Sequence, residues 1–155
     1  GAEVSWLWQP KDEVKVGMAA GWLRSRIDSD ITSAGISLKD KDTVQSPKLT
    51  YMAQANWSPQ ISPTKKLILA ADASYRASQY YESNNSPMSL EDGYWLANLR
   101  VGIGGTDGQW SVAAFVKNLT DTKYRTYVND VAANGFVLNI YGPPKTYGVA
   151  ASYKF

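Results

Sequence analysis

Apolar and polar positions alternate with a period of two along most of this chain, and no long stretch keeps helical spacing. "AEVSWLWQ" sets Val4, Trp6 and Trp8 against Glu3, Ser5, Leu7 and Gln9. "VKVGMAAGW" sets Val14, Val16, Met18, Ala20 and Trp22 against Lys15, Gly17, Ala19 and Gly21. "KLTYMAQANWS" opposes Leu49, Tyr51, Ala53, Ala55 and Trp57 to Lys48, Thr50, Met52, Gln54 and Asn56. "LILAADASYR", "YWLANLRVGI" and "WSVAAFVK" repeat the pattern. The last segment, "KTYGVAASYKF", places Tyr147, Val149, Ala151, Tyr153 and Phe155 on one face. The spacing predicts about seven strands, no convincing helix, and an all-β antiparallel chain.

The connections alternate too. Those after Gln9, Ser58 and Gly104 are short, while those after Trp22, Tyr81 and Tyr127 are longer and polar. Strands running up and down would therefore gather the short turns on one rim and the long loops on the other. Trp8, Trp57, Trp110 and Phe155 fall at the short-turn rim. Trp22, Tyr75, Trp95 and Tyr147 fall towards the long-loop rim, and Tyr153 joins the same face. Between these two girdles the face carries Val, Leu, Ala, Met and Ile.

That combination predicts a transmembrane β-barrel. Lipid offers backbone groups no hydrogen-bond partner, so a spanning sheet must close on itself and be apolar outside. A soluble sandwich or lipocalin-like barrel also alternates, with its apolar face as the core. Three details favour the membrane. The apolar face ends in Trp and Tyr instead of filling with Phe, Leu and Ile. The strand patterns extend past membrane-spanning length, about 9–11 residues. The opposite face is rich in Gly, Ala and Ser, as suits a crowded or wet interior.

Composition narrows the chemistry. The chain has 155 residues, enough for one domain, and a net charge of +2 with acids and bases interspersed. No basic stripe suits nucleic acid. Histidine and cysteine are absent, which removes the most used general base and the commonest metal ligand, as well as any disulfide or thiol nucleophile. No enzyme, cofactor or metal site is expected. Six Trp and ten Tyr against three Phe suit an interface. No apolar run is long enough for a transmembrane helix. The opening "GAEVSWLWQP" is no signal peptide and starts directly in a strand pattern, so the chain reads as a piece of something longer.

Individual motifs mostly reduce to local structure. "GIGGTDG" lacks phosphate-loop spacing and reads as a turn. "NLT" at Asn118 matches a glycosylation sequon that would be idle in a strand. Asp28, Asp30, Asp40 and Asp42 lack a calcium-loop pattern and read as a solvated loop. Glu91 and Asp92 are adjacent and point opposite ways on a strand, which does not suit paired carboxylate catalysis. Arg76, Tyr80, Tyr81, Arg125 and Tyr127 lie near the long-loop end and are the candidate ligand-binding group, by charge and stacking. Girdle and loop packing is the competing account of the same residues.

The C-terminal stretch adds a resemblance. "WSVAAFVKNLTDTKYRTYV" carries Asn118, Leu119, Thr120, Asp121 and Tyr124, and "YGPPKTYGVAASYKF" carries Pro144, Lys145, Thr146, Tyr147, Gly148 and Phe155. Both resemble the last two strands of TonB-dependent outer-membrane receptors, with Lys145 where Arg is usual. "SPKLTYMAQANWSP" and "DGYWLANLRVGI" resemble earlier strands more loosely. The resemblance implies the C-terminal third of a barrel of twenty-two strands. The plug domain and N-terminal strands would lie outside residues 1–155. It implies a Gram-negative outer-membrane location, lipid around the barrel, and energised uptake of a bulky nutrient such as a ferric siderophore through a TonB complex. It also implies that the terminal Phe155 is read by the barrel-assembly machinery. A small independent barrel, porin-like or lipocalin-like, is the alternative, and a β-rich carbohydrate-active enzyme is a more distant one.

Overall fold

The computed structural model describes residues 1–33, 35–131 and 134–155. Its strands are β1 (Ala2–Lys11), β2 (Val14–Trp22), β3 (Thr32–Ser33), β4 (Ile36–Ser37), β5 (Leu49–Trp57), β6 (Gln60–Ser62) and β7 (Lys65–Arg76). They continue with β8 (Gln79–Tyr80), β9 (Leu90–Glu91), β10 (Tyr94–Gly105), β11 (Trp110–Lys117), β12 (Arg125–Val131), β13 (Phe136–Tyr141) and β14 (Thr146–Tyr153). One 3₁₀ turn, Pro87–Ser89, precedes β9.

The long strands form one antiparallel sheet in the order β1-β2-β5-β7-β10-β11-β14, with the short β6 added beside β7. These are the seven strands the alternation predicts. Each pairs with its predecessor in this list, the up-and-down arrangement. The sheet does not close, and β1 and β14 are its edges. The long connections fall at 23–48, 77–93 and 118–145, all at one end.

Register decides which side chains share a face. One row runs Trp8, Val16, Ala55, Ala71, Leu99, Val116, Tyr147 across the sheet. It starts near the short-turn end of β1 and finishes at the long-loop end of β14. The strands are therefore staggered in one sense, as tilted barrel strands must be.

The structure corrects three details of the sequence reading. The second long connection begins after Arg76, not Tyr81, and the third after Lys117, not Tyr127, where it holds the β12–β13 hairpin and not a plain polar connection. The stretch from Arg24 to Pro47 contains the small β3–β4 hairpin. Only β7 and β10, at 12 residues each, extend past the membrane-spanning length; β1, β2 and β5 fall within it at 10, 9 and 9, and β11 and β14 fall short of it at 8 each. The short connections fall where expected, although β1 runs on to Lys11 and the connection after β5 holds β6. The loop after β10 turns through Gly108 at φ +73, a conformation glycine adopts without strain, and the Asp107 carboxylate accepts from the Gln109 amide.

Candidate functional site

Two surfaces are built by this arrangement. The first is the apolar face. All six tryptophans (Trp6, Trp8, Trp22, Trp57, Trp95 and Trp110) stand on it, and no charged side chain interrupts it between the rims. Tyr51, Tyr75 and Trp95 form one register row near the long loops, with ring centroids 5.9 and 5.0 Å apart. Trp6 stacks on Trp8 at 6.3 Å, and Tyr153 meets Phe155 edge-on at 5.2 Å. Five of the tryptophans are about half exposed.

No second layer covers this face. Among the described residues the buried apolar side chains are Leu38, Tyr81, Ala113 and Val128, and none belongs to the apolar face. A sandwich or lipocalin-like core would bury these aromatics; here they stand exposed. The opposite face carries the strand glycines Gly17, Gly21, Gly102, Gly104 and Gly148. A Cβ at Gly17, Gly21 or Gly148 would meet the side chain of Gln54, Thr50 or Phe115 at 3.0, 2.9 and 2.9 Å. Neighbouring side chains lean over these glycines, so the polar face is crowded, as the sequence predicts for the inner face of a barrel.

The second surface is the long-loop rim, where burial is concentrated. Gln79, Tyr81, Ser89 and Glu91 are buried there, together with Val128 of the β12–β13 hairpin. Arg125 sits at the centre. Its Nε donates to Glu91 Oε2 at 2.5 Å, and its backbone N–H donates to Glu91 Oε1 at 2.9 Å. Its Nη1 donates to the Met88 carbonyl at 3.1 Å and to Asn139 Oδ1 at 3.2 Å, and Nη2 donates to the Leu90 carbonyl. The planar fork of arginine suits this spread of acceptors.

Tyr81 completes the node. Its hydroxyl donates to the Arg125 carbonyl at 2.5 Å and accepts from Gln79 Nε2 at 3.3 Å. Burial raises the Tyr81 pKa above the ordinary tyrosine value, the Gln79 hydrogen bond opposes this, and the nearby Glu91 charge adds to it. The hydroxyl therefore stays a donor beyond the pH at which an ordinary tyrosine ionises.

Further bonds tie the loops together. Ser86 Oγ donates to Asp130, whose amide donates to Glu82 Oε1 at 2.6 Å. Asn85 clasps the backbone of Asp42, accepting from its N–H at 2.7 Å and donating to its carbonyl at 2.9 Å. Asp42 is paired with Arg26 and Lys48, and Asp30 with Lys39, so the acidic loop is charge-balanced locally.

The predicted ligand group is thus divided. Tyr81 and Arg125 meet, each engaged with protein partners. Arg76 is exposed at the end of β7, opposite Thr50 and Tyr94. Tyr80 lends its carbonyl to the Gln45 amide. Tyr127 is exposed on β12 opposite Ile140. Sequence reasoning missed Glu91 as the partner of Arg125, because nothing in their separation along the chain signals contact.

The quoted "NLTDTKY" stretch has a clear structural role. Asn118 lies at φ +49 and is buried. Its side chain accepts from the Thr122 N–H at 2.9 Å and donates to the carbonyls of Thr122 and Pro143 at 2.9 and 3.2 Å. Asp121 Oδ1 accepts from the Lys145 amide at 2.9 Å. Tyr124 stacks on Tyr94 at 4.7 Å and crosses the space a Cβ at Gly142 would occupy, 2.0 Å from its ring. These residues lock the start of β14 to the end of β11. The Asn118 amide is consumed in that lock and buried, while Leu119 and Thr120 of the sequon are exposed.

Comparison with solved structures agrees with the architecture. The chain is similar to the ferric yersiniabactin uptake receptor FyuA from Yersinia pestis, with a TM-score of 0.83 and 14% identity, covering 99% of this chain and 23% of the receptor. It is also similar to BauA, the ferric preacinetobactin receptor from Acinetobacter baumannii, with a TM-score of 0.72 and 21% identity, covering 97% of this chain and 21% of the receptor. The chain spans under a quarter of the length of these receptors, and it shares their fold over nearly all of its own. No protein-family profile and no curated protein sequence matches it.

Proposed function

We propose that residues 1–155 are the C-terminal strands of a TonB-dependent outer-membrane receptor that imports a ferric siderophore or a comparably bulky nutrient. One observation carries the reading: a seven-strand apolar face with no charge between its rims, bearing every tryptophan and left uncovered by protein among the described residues. The staggered register and the two unpaired edges, β1 and β14, fit a segment of a larger barrel, and the two ferric-siderophore receptors support the substrate class. On this reading the short turns face the periplasm, the loops 23–48, 77–93 and 118–145 face outward, and the chain performs no bond chemistry. The remaining strands and a plug domain complete the receptor, and TonB acts through the plug.

The test is transport by the complete protein. A strain lacking it should lose uptake of one member of a panel of ferric siderophores, and the complete protein should restore uptake only when TonB is present. Uptake that persists without TonB would refute the assignment.

Phe155 gives a second test. It is fully exposed and touches Tyr153 by one edge-on contact. As an assembly signal it should matter more than that contact warrants. Phe155→Ala in the complete receptor should lower its outer-membrane level well below that of Tyr153→Ala, measured by immunoblot of membrane fractions. Equal losses would reduce Phe155 to a girdle residue.

A further inference from the structure

The chain leaves the β10–β11 ladder at Asn118, and a side chain of the inner face supplies what the ladder no longer does. The register of the two strands runs to the pair Leu99–Val116. Asn118 then turns to φ +49, out of strand geometry, and is buried. A buried backbone N–H needs an acceptor. Asn98 Oδ1, on the inner face of β10, accepts from the Asn118 N–H at 3.0 Å, while the Leu119 N–H returns to the Ala97 carbonyl at 2.8 Å.

An amide side chain can offer its oxygen to Asn118 only if its nitrogen points elsewhere. Asn98 Nδ2 donates to Asp72 Oδ2 at 2.7 Å, across the β7–β10 register pair Asp72–Asn98. A carboxylate accepts and cannot donate, whereas a backbone N–H donates and cannot accept. The two neighbours together admit one orientation of the Asn98 amide, so Asp72 fixes the polarity with which Asn98 meets Asn118. From Asn118 the bonds continue outward. Its Oδ1 accepts from the Thr122 N–H, and its Nδ2 donates to the Thr122 and Pro143 carbonyls, which lie near opposite ends of the connection 118–145.

We propose that Asp72 and Asn98 are positioning residues that set the base of loop 118–145 from the inner face of the sheet, through the donor–acceptor polarity of one amide. Asp72 stands within β7, away from that loop in sequence, and acts on it through Asn98. The loop it sets carries Arg125 and the β12–β13 hairpin. This relay needs only the sheet register and these hydrogen bonds, whatever the complete protein imports.

The test exchanges donor for acceptor in the complete protein. Asp72→Lys places a donor where the acceptor stands, which draws Asn98 Oδ1 to the ammonium and turns Nδ2 toward the Asn118 N–H. Amide exchange over residues 118–122 should then accelerate about tenfold or more. Adding Asn98→Asp should restore the slow rate, because one carboxylate oxygen meets the lysine and the other accepts from Asn118. Asp72→Asn should keep the slow rate, since its carbonyl still accepts from Asn98. An unchanged rate in Asp72→Lys would overturn the relay. So would a double variant as fast as the single one, because Asp72 would then act through bulk or charge alone. Where the lysine variant does not assemble, Asp72→Asn is compared with Asp72→Leu: a faster leucine variant supports the relay, and equal rates overturn it. Heat-modifiable migration of the unmodified protein reports the barrel separately. A relay without a barrel rejects only the transport reading, and a barrel without the relay rejects only the relay.

Discussion

Ala53→Arg should block membrane assembly of the receptor, while Met52→Arg, one residue earlier, should leave it nearly intact. Both positions lie mid-strand in β5, at the same depth and on the same backbone. They differ in face. Ala53 pairs with Met18 and Ala73, between Trp6 and Ala97 in the same apolar row. Met52 pairs with Ala19 and Ser74 on the inner face, in a row with Ser5 and Leu96 and no charge.

A guanidinium at the lipid midplane costs about 2–4 kcal/mol, which outer-membrane folding has little room to absorb. The same group facing inward keeps its water or finds polar partners. The measurement is the folded fraction by heat-modifiable migration, for both variants in the complete protein. Equal defects would mean that the register does not separate lipid from interior. A larger defect for Met52→Arg would reverse the faces.

This pair also marks how far the sequence could be read. The face assignment was legible because a strand's side-chain period is two, and one misplaced residue would flip the whole pattern. Trp8, Val16, Ala55 and Ala71 could be placed on a common face from alternation alone. Their common row could not, because stagger depends on pairing between strands, which no single strand encodes.

The loops were less legible for a different reason. "RTYVNDV" and "FVLNIY" alternate weakly, and the hairpin they form is anchored by groups far away in the chain. The Arg125–Glu91 bond joins residues 34 apart. Asn118 belongs to the stretch that carries the resemblance, yet its work, closing on Thr122 and Pro143, appears only once both ends of the loop are in place.

Arg125→Leu should loosen the rim without harming the barrel. Removing the guanidinium leaves the Glu91 carboxylate, itself nearly buried, with only the Arg125 backbone N–H, and strips the Met88 and Leu90 carbonyls of a donor. Breaking one side of a buried ion pair costs about 3–5 kcal/mol; Arg125 is partly exposed, so the lower end applies. The cost falls locally, because the sheet registers are satisfied independently of the loops.

Amide exchange at Arg125 and Tyr81 in the assembled protein should then accelerate by roughly a hundredfold, and loops 77–93 and 118–145 should become protease-sensitive. Outer-membrane level should stay near that of the unmodified protein. Glu91→Gln should act in the same direction but less, since its amide oxygen still accepts from Arg125. Arg125→Lys should fall close to the leucine variant, because an ammonium cannot span Glu91, Leu90, Met88 and Asn139 at once.

The contrary outcome is equally specific. Unchanged exchange with lost siderophore uptake would make Arg125 a ligand group, as its place among Arg76, Tyr80, Tyr81 and Tyr127 first indicated. Faster exchange with uptake lost in proportion makes it the residue that holds the long-loop rim of the proposed receptor in shape.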